Sequence, residues 1–166
     1  MGVDKARLPF RGSELACAVA DAVARAAGNV TLVGHTGLPA IPDRYPGQGP
    51  LGAILTALDH SSADWNLIVA CDMPEVSAAF LGELLARAMR STADVLLPVG
   101  PDALPQPLCA VYHRRTLAAL EEQFTGGVRQ VTQALAGLAV EPFSVAELSH
   151  FQNVNTPEDW AAYAAK

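Results

Sequence analysis

Apolar positions along this chain recur with two different spacings, which together predict alternating helices and strands. Between Ser13 and Gly28 they recur at helical spacing, with Ser13 as the N-cap and Gly28 as the C-terminal stop. Short apolar runs with few charges predict buried strands. The other predicted helices cover 51–60, 77–90, 116–124 and 128–138, and a last one begins at Thr156. The predicted strands cover 30–33, 67–71, 95–97, 108–112 and 140–145.

Strands that alternate with helices predict an α/β layered fold with a mostly parallel sheet. The chain has 166 residues, enough for one domain with a substantial core. No internal repeat, low-complexity tract or second domain is visible in the sequence. We therefore expect a single domain over 1–166.

The strand predicted over 67–71 runs into Asp72, Met73 and Pro74. Its continuous apolar character predicts a strand buried on both faces of the sheet. Asp72 would then lie just beyond the carboxyl end of the strand, the edge where open α/β sheets bind ligands. A single acid there suggests a metal or phosphate site. The alternative is that Asp72 only caps the following turn, because Asx-Pro segments are ordinary turn formers.

Composition limits the classes of partner. A net charge of −6 argues against nucleic acid or a membrane surface as a partner, since both require a basic face. A nucleotide is still compatible, because one lysine and a metal ion can hold it. No secretory signal or bilayer-spanning segment is visible, so we expect a cytoplasmic protein. Cys17, Cys71 and Cys109 lie in apolar runs without disulfide or zinc spacing, and we expect them to be small core residues.

Few side chains in this sequence suit acid–base or nucleophilic chemistry. The serines lack a Gly-x-Ser-x-Gly setting, and the four histidines lack ligand spacing and are expected at the surface. The polar groups that stand out are Asp4 and Lys5 at the start, Asp72 after the strand, and Asn153 with Asn155 before the last predicted helix. Such groups at sheet termini can neutralise phosphates and hold Mg²⁺. Phosphoryl-type transfer needs mainly positioning and charge stabilisation, and an attacking phosphate needs no general base.

Five motifs, spread along the whole chain, carry a family resemblance. They are Met-Gly-Val-Asp-Lys at 1–5 with Leu-Pro-Phe at 8–10, Gly-Pro-Leu-Gly at 49–52, Cys-Asp-Met-Pro at 71–74, Gln-Pro-Leu-Cys-Ala-Val-Tyr at 106–112, and Phe-Gln-Asn-Val-Asn-Thr-Pro-Glu-Asp at 151–159. Together they resemble the molybdenum cofactor guanylyltransferases, the MobA-like members of the nucleotidyltransferase superfamily. The Cys-Asp-Met-Pro motif is shared with related cytidylyltransferases, whereas the last motif is more specific to the guanylyl branch.

The resemblance implies a Rossmann-like three-layer domain that transfers GMP from GTP to the phosphate of Mo-molybdopterin and releases pyrophosphate. It implies that Lys5 contacts the nucleotide phosphates and that Asp72 binds a Mg²⁺ ion bridging them, which makes these two the catalytic residues. It also implies transient contact with other proteins of molybdenum cofactor biosynthesis. The implied nucleotide-binding residues are Gly2, Lys5, Asp43, Gly49, Pro50, Leu51, Gly52 and Asp72.

Further residues have a functional and a structural interpretation. Asp43 is a candidate for reading guanine, since a carboxylate accepts from both N1 and the 2-amino group; the alternative is an ordinary loop acid. Asn153 and Asn155 would face the pterin substrate, its phosphate or the metal; alternatively, they form a turn between strand and helix. Arg129 would face substrate phosphate; the alternative is a solvated arginine.

The sequence departs from the family at its start. Family members begin with a strand that leads into a glycine-rich loop directly before Met-Gly-x-Asp-Lys, whereas this sequence starts at that methionine. Because the strand is normally central in the sheet, we expect unpaired backbone beside an apolar gap. We also expect weak GTP binding and reduced stability, with a misassigned start codon as the simplest cause. The rival functions are a cytidylyltransferase or another NTP transferase for a phosphorylated acceptor, and an inactive cofactor-binding module.

Overall fold

The computed structural model describes residues 9–10, 13–34, 40–146 and 151 of the chain. The helices in these ranges are α1 (Leu15–Ala27), α2 (Pro50–His60), α3 (Ala78–Ala88), α4 (Leu117–Thr125) and α5 (Val131–Ala134). The strands are β1 (Pro9–Phe10), β2 (Ser13–Glu14), β3 (Trp65–Val69), β4 (Val95–Val99), β5 (Cys109–His113) and β6 (Val140–Ser144). The predicted α/β fold is confirmed, whereas the predicted helix after Thr156 lies outside the described residues.

The main sheet has the strand order β3-β5-β4-β6. Strands β3, β4 and β6 run in the same direction, and β5 runs antiparallel to both of its neighbours. Three of the four strands therefore point the same way, as predicted, although β5 makes two of the three strand pairings antiparallel and the described sheet is mixed. The connection from β4 to β5 over 100–108 contains no helix. Because a parallel crossover needs a longer connection, usually helical, this short one reverses the strand.

Helices cover both faces of the sheet and create two cores. Side chains alternate between the faces along β4, where Leu96 packs with α1 and α3, and Val95 and Leu97 pack with α2, α4 and α5. Along β5, Val111 lies in the first core and Tyr112 in the second. The result is the predicted three-layer arrangement of helix, sheet and helix.

The ends of the first helices test the capping predictions. Ser13 does not cap α1, because it lies in β2 and pairs with Phe10; Glu14 occupies the cap position without a side-chain capping bond. Gly28 ends the helix as predicted, with φ +84° and its N–H donating to the Ala24 carbonyl. Ser77 caps α3, since its hydroxyl accepts a hydrogen bond from the Phe80 N–H at 3.2 Å.

Two predicted elements differ from the structure: one strand is absent from the described residues and one helix is shorter. The predicted strand over 30–33 is absent from the described structure, where Val33 makes one isolated parallel bridge to Ile41. The predicted helix over 128–138 shrinks to Val131–Ala134. At its start, the Val128 N–H donates back to the Gln123 carbonyl, so the chain folds onto the end of α4. At its end, Gly137 has a φ of +90°.

Three smaller expectations concern cysteines, histidines and membrane segments. Cys109 is buried, which raises the pKa of its thiol to about 12, whereas Cys17 and Cys71 are only half-buried. His60 is exposed as expected, but the ring of His113 packs edge-on against Trp65 at 4.7 Å. Within the described ranges, no helix is both long and apolar enough to cross a bilayer.

Asp94 leads to a prediction about acid stability. Its carboxylate accepts hydrogen bonds from Arg115 Nε at 2.6 Å and from the Ala139 N–H at 2.8 Å, and these bonds, that of Arg115 first, hold its pKa below the ordinary 3.8. Because the pKa of Asp94 is lower in the folded than in the unfolded protein, its ionised carboxylate stabilises the fold. This stabilisation is complete at neutral pH and is lost as the pH falls through 3.8 towards the folded-state pKa. We expect Asp94→Asn to lower the melting temperature at about pH 7, with the gap to wild type narrowing as the pH is lowered to about 3.

The control for this prediction is Asp64→Asn, which changes an exposed carboxylate near the start of β3. Melting curves of the three proteins across this pH range provide the measurement. A gap between Asp94→Asn and wild type that is equally wide at both ends of the range would contradict the predicted linkage.

Candidate functional site

Asp72 lies where the sequence predicts it, beyond the carboxyl end of β3. The strand ends at Val69, and Cys71 and Asp72 form the turn that follows. Asp72 lines a cavity of about 310 Å³ beside β3. The other walls are mainly apolar and come from α1, from 30–33, from α2 and from β3. Asp72 is therefore the one acidic residue in a mainly apolar cavity lining.

The cavity lies along an edge of β3 that has no strand partner among the described residues. The Ala70 N–H donates to the Leu108 carbonyl, and the Arg114 N–H donates to the Asp64 carbonyl. Because hydrogen-bonding direction alternates along an antiparallel pair, the backbone groups of Leu67 and Val69 point to the other edge. These residues are half-buried, so the prediction that this strand is buried on both faces is wrong. An apolar cavity therefore lies beside an edge of β3 that has no strand partner among the described residues, and the effect expected from a missing first strand stays a prediction.

The Gly-Pro-Leu-Gly motif reaches the same cavity at the start of α2. Pro50 is the first residue of the helix and lines the cavity together with Asp72. Gly49 precedes it with φ +87° and ψ 178°, a backbone conformation that is essentially restricted to glycine. Gly52 is required for space, because a Cβ there would lie 2.8 Å from the Tyr45 Cβ. The motif therefore fixes where α2 begins relative to Asp72.

Asp43 lies at the start of the loop that leads to this motif. Its Oδ1 accepts hydrogen bonds from the Tyr45 N–H at 2.9 Å and from the Thr56 hydroxyl at 3.0 Å. Thr56 is 3% exposed, and its Oγ1 also accepts from the Arg44 N–H at 3.1 Å. These bonds tie the loop to the middle of α2. A contact between Asp43 and guanine stays a prediction.

Arg129 lies on the turn after α4 and contacts the same loop from the other side. Its Nη1 donates to the carbonyls of Phe124 and Val128 at 2.6 and 2.9 Å, and its Nη2 donates to Gln48 Oε1 at 2.9 Å. The guanidinium carbon lies 4.0 Å from the centre of the Phe124 ring. A contact between Arg129 and substrate phosphate stays a prediction.

The structure thus brings together part of the predicted site. Asp72 and Pro50 line one cavity, and Gly49, Leu51 and Gly52 continue from Pro50 around the start of α2. Arg129 joins this region through Gln48. The predicted site residues Gly2, Lys5, Asn153 and Asn155 lie outside the described residues, so their roles stay predictions.

The donor set around Asp72 is compatible with Mg²⁺. This ion commonly takes one or two protein carboxylates and completes its shell with substrate phosphates and water. Asp72 is the acidic residue in the cavity lining and would be the one carboxylate ligand from it, so Mg²⁺ binding by Asp72 stays a prediction. The described residues contain no group of three or more His, Cys, Asp or Glu side chains placed to hold a metal ion.

Several residues that shape this region are not signalled by the motifs. Thr56 is buried in α2, and a polar residue among apolar neighbours in the sequence is the signal that could have drawn attention to it. Tyr45 and Phe124 pack with ring centres 4.6 Å apart. Gln48 bonds Arg129 across a separation of 81 residues, which a single sequence does not reveal.

Comparison with known proteins identifies relatives of the chain. The family model described as the MobA-like NTP transferase domain matches residues 1–139. A protein of Methanothermobacter thermautotrophicus named probable molybdenum cofactor guanylyltransferase is 34% identical over 129 residues, which are 72% of this chain and 63% of that protein. A Clostridium perfringens protein of the same name is 29% identical over 136 residues, which are 75% of this chain and 66% of that protein. The chain thus spans slightly under two thirds of these relatives.

A solved structure supports the same grouping. The crystal structure of molybdopterin-guanine dinucleotide biosynthesis protein A from Archaeoglobus fulgidus superposes with a TM-score of 0.80 at 26% identity. The alignment covers 97% of this chain and 89% of that one. The likeness therefore extends across nearly the whole chain.

Proposed function

This chain belongs to the MobA-like NTP transferase family, and from that premise we propose that it transfers the GMP moiety of GTP to the phosphate of Mo-molybdopterin. An oxygen of the acceptor phosphate attacks the α-phosphorus of GTP, the bond to the bridging α–β oxygen breaks, and pyrophosphate leaves with both electrons of that bond. The attacking phosphate is already ionised at neutral pH, so the reaction requires no protein base.

One observation carries this proposal: Asp72 and the start of α2 border the same cavity at the carboxyl end of β3. Ligands of open α/β sheets bind at that edge. The N-terminus of a helix favours negative charge, and here a glycine and a proline set its position without a bulky side chain in the way. The two relatives are named as guanylyltransferases, which supports GTP as the donor.

The roles of the side chains follow from the charge of the nucleotide. Asp72 would hold Mg²⁺, which neutralises phosphate charge and acts as a Lewis acid when bound. Lys5 would add a positive charge against the same phosphates. Asn153 and Asn155 would orient the pterin substrate or its phosphate. The apolar walls of the cavity keep water away from these charges, which strengthens electrostatic interactions with the nucleotide.

The chemistry of the site also suits other nucleotides and phosphorylated acceptors. A cytidylyltransferase would use the same carboxylate and the same start of α2, so the base alone separates it from a guanylyltransferase. A binding module would retain the cavity without turnover. We propose the cytoplasm as the compartment, in keeping with the three free thiols.

Calorimetric titration with Mg-GTP and Mg-CTP tests this function. We expect Mg-GTP to bind at least about tenfold more tightly than Mg-CTP, because the guanine edge offers donors that cytosine lacks. Asp72→Asn should weaken Mg-GTP binding, and Asp64→Asn should not. Tighter binding of CTP would replace the proposal with a cytidylyltransferase. A folded protein that binds neither nucleotide would favour the binding module.

A further inference from the structure

Arg129 is exposed, yet its guanidinium makes several contacts with its own chain. Three hydrogen bonds engage its guanidinium, two to the carbonyls of Phe124 and Val128 and one to the side chain of Gln48. One face of the guanidinium lies over the Phe124 ring at 4.0 Å. Planar stacking combined with several directed bonds is a geometry that arginine provides and lysine does not.

The partner of this arginine, Gln48, directly precedes the Gly-Pro-Leu-Gly motif. The Gln48 N–H donates to the Tyr45 carbonyl at 3.1 Å, and the Tyr45 ring packs on Phe124 at 4.6 Å. Phe124 therefore contacts both Tyr45 and Arg129. We call these four residues, Tyr45, Gln48, Phe124 and Arg129, the Gln48 clasp.

The clasp complements the anchor at the other end of the loop. There, Asp43 is bonded to Thr56 in the middle of α2. With both ends held, the segment between them has little freedom to change the position of Gly49. Gly49 lacks a side chain that could fix its own position, and its φ of +87° depends on the residues on either side. Gln48, which precedes Gly49 directly, links the Gln48 clasp to it from the loop.

We propose that Arg129 is a positioning residue that acts through Gln48 to hold the start of α2 in its nucleotide-binding position. This inference rests on the proposed function, because it assigns residues 49–52 to the nucleotide. It departs from a direct contact between Arg129 and substrate phosphate. Under the positioning role, Gln48 and Arg129 belong to one unit, and removing either has the same consequence.

Amide hydrogen exchange in the nucleotide-free protein tests the clasp without any assumption about the reaction. We expect Arg129→Gln and Gln48→Ala each to speed exchange of the protected amides at the start of α2, such as that of Gly52, which donates to the Gly49 carbonyl, by about fivefold, the effect of losing one charge-assisted contact at the surface. The double variant should exchange no faster than either single variant. Arg25→Gln removes an exposed arginine on α1 and serves as the matched control.

Steady-state kinetics with Mg-GTP tests the link to the nucleotide. We expect both single variants to raise KM for GTP by about fivefold while kcat changes less than about twofold, because a displaced segment weakens binding in ground and transition states alike. The double variant should again match the single variants. A direct phosphate contact predicts instead that Arg129→Gln lowers kcat and that Gln48→Ala has no effect.

The two measurements separate failure of this inference from failure of the proposed function. Unchanged exchange in both variants, with normal GTP binding by the wild type, overturns the clasp and leaves the function intact. Additive effects of the two substitutions on KM also overturn it. A wild-type protein that binds no nucleotide overturns the proposed function and, with it, this role for Arg129.

Discussion

Asp72→Asn is expected to reduce kcat/KM for guanylyl transfer by at least about 100-fold, since a metal ion at the reacting phosphate contributes several kcal/mol. Asparagine keeps the size of the side chain and one acceptor oxygen but removes the negative charge that attracts Mg²⁺. The turn at the end of β3 should therefore survive. Initial rates at saturating acceptor and varied Mg-GTP, with melting temperatures recorded in parallel, provide the measurement.

The matched control is Asp64→Asn, which removes one carboxylate at the opposite end of the same strand, where it is exposed. Its rate should stay within about twofold of the wild type, as is usual for surface substitutions away from a site. Near-normal turnover by Asp72→Asn would mean that Asp72 only forms the turn after β3 and has no catalytic role. The proposed placement of the metal would then be wrong.

Gly52→Ala is expected to destabilise the protein by about 1–3 kcal/mol, the usual cost of forcing an added methyl group into packed structure. The new Cβ would lie 2.8 Å from the Tyr45 Cβ, so either Tyr45 or the first turn of α2 must move. Both belong to the region assigned to the nucleotide, and we also expect the Kd for Mg-GTP to rise about tenfold. Urea denaturation and calorimetric titration measure the two effects.

A second glycine separates crowding from the general effect of adding a methyl group. Gly82 lies within α3, and a Cβ there would have no atom within 4 Å. Gly82→Ala should therefore stabilise the protein by about 0.5–1 kcal/mol, because alanine restricts the unfolded chain. If both alanine variants have the same free energy of unfolding, the crowding between Gly52 and Tyr45 has no energetic consequence.

The parts of the fold that local patterns determine are the parts that the sequence predicts well. The amphipathic run that ends at Gly28 and the cap at Ser77 each combine periodicity with a terminal signal, and both helices form where expected. The strand before Asp72 forms because its apolar run leaves few alternatives. The position of Asp72 then follows from the general rule for open α/β sheets.

The parts that depend on distant contacts are predicted poorly. The apolar run at 30–33 resembles a strand, but a strand needs a neighbour, and the described structure provides only the bridge from Val33 to Ile41. The first residues of the helix predicted over 128–138 are not helical, and in this part Arg129 hydrogen-bonds to Phe124 and Gln48. The antiparallel direction of β5 could have been inferred from the sequence, because the connection before this strand is short and contains no helix.

The same distinction applies to the candidate site. The family resemblance points to residues 49–52, and the structure gives each of Gly49, Pro50 and Gly52 a geometric reason. The side chains that hold this segment, Thr56 and Arg129, act across separations that no local motif encodes. Their roles emerge only when α2 and α4 pack side by side.

The most direct test of the central claim is a transfer assay with GTP labelled at the α-phosphate, Mg²⁺ and Mo-molybdopterin. We predict that the label moves to the pterin cofactor, that one pyrophosphate appears for each GMP transferred, and that labelled CTP gives little product. Asp72→Asn should abolish the transfer. Equal or preferred transfer from CTP, or no transfer by a folded protein that binds the cofactor, would contradict a guanylyltransferase centred on Asp72.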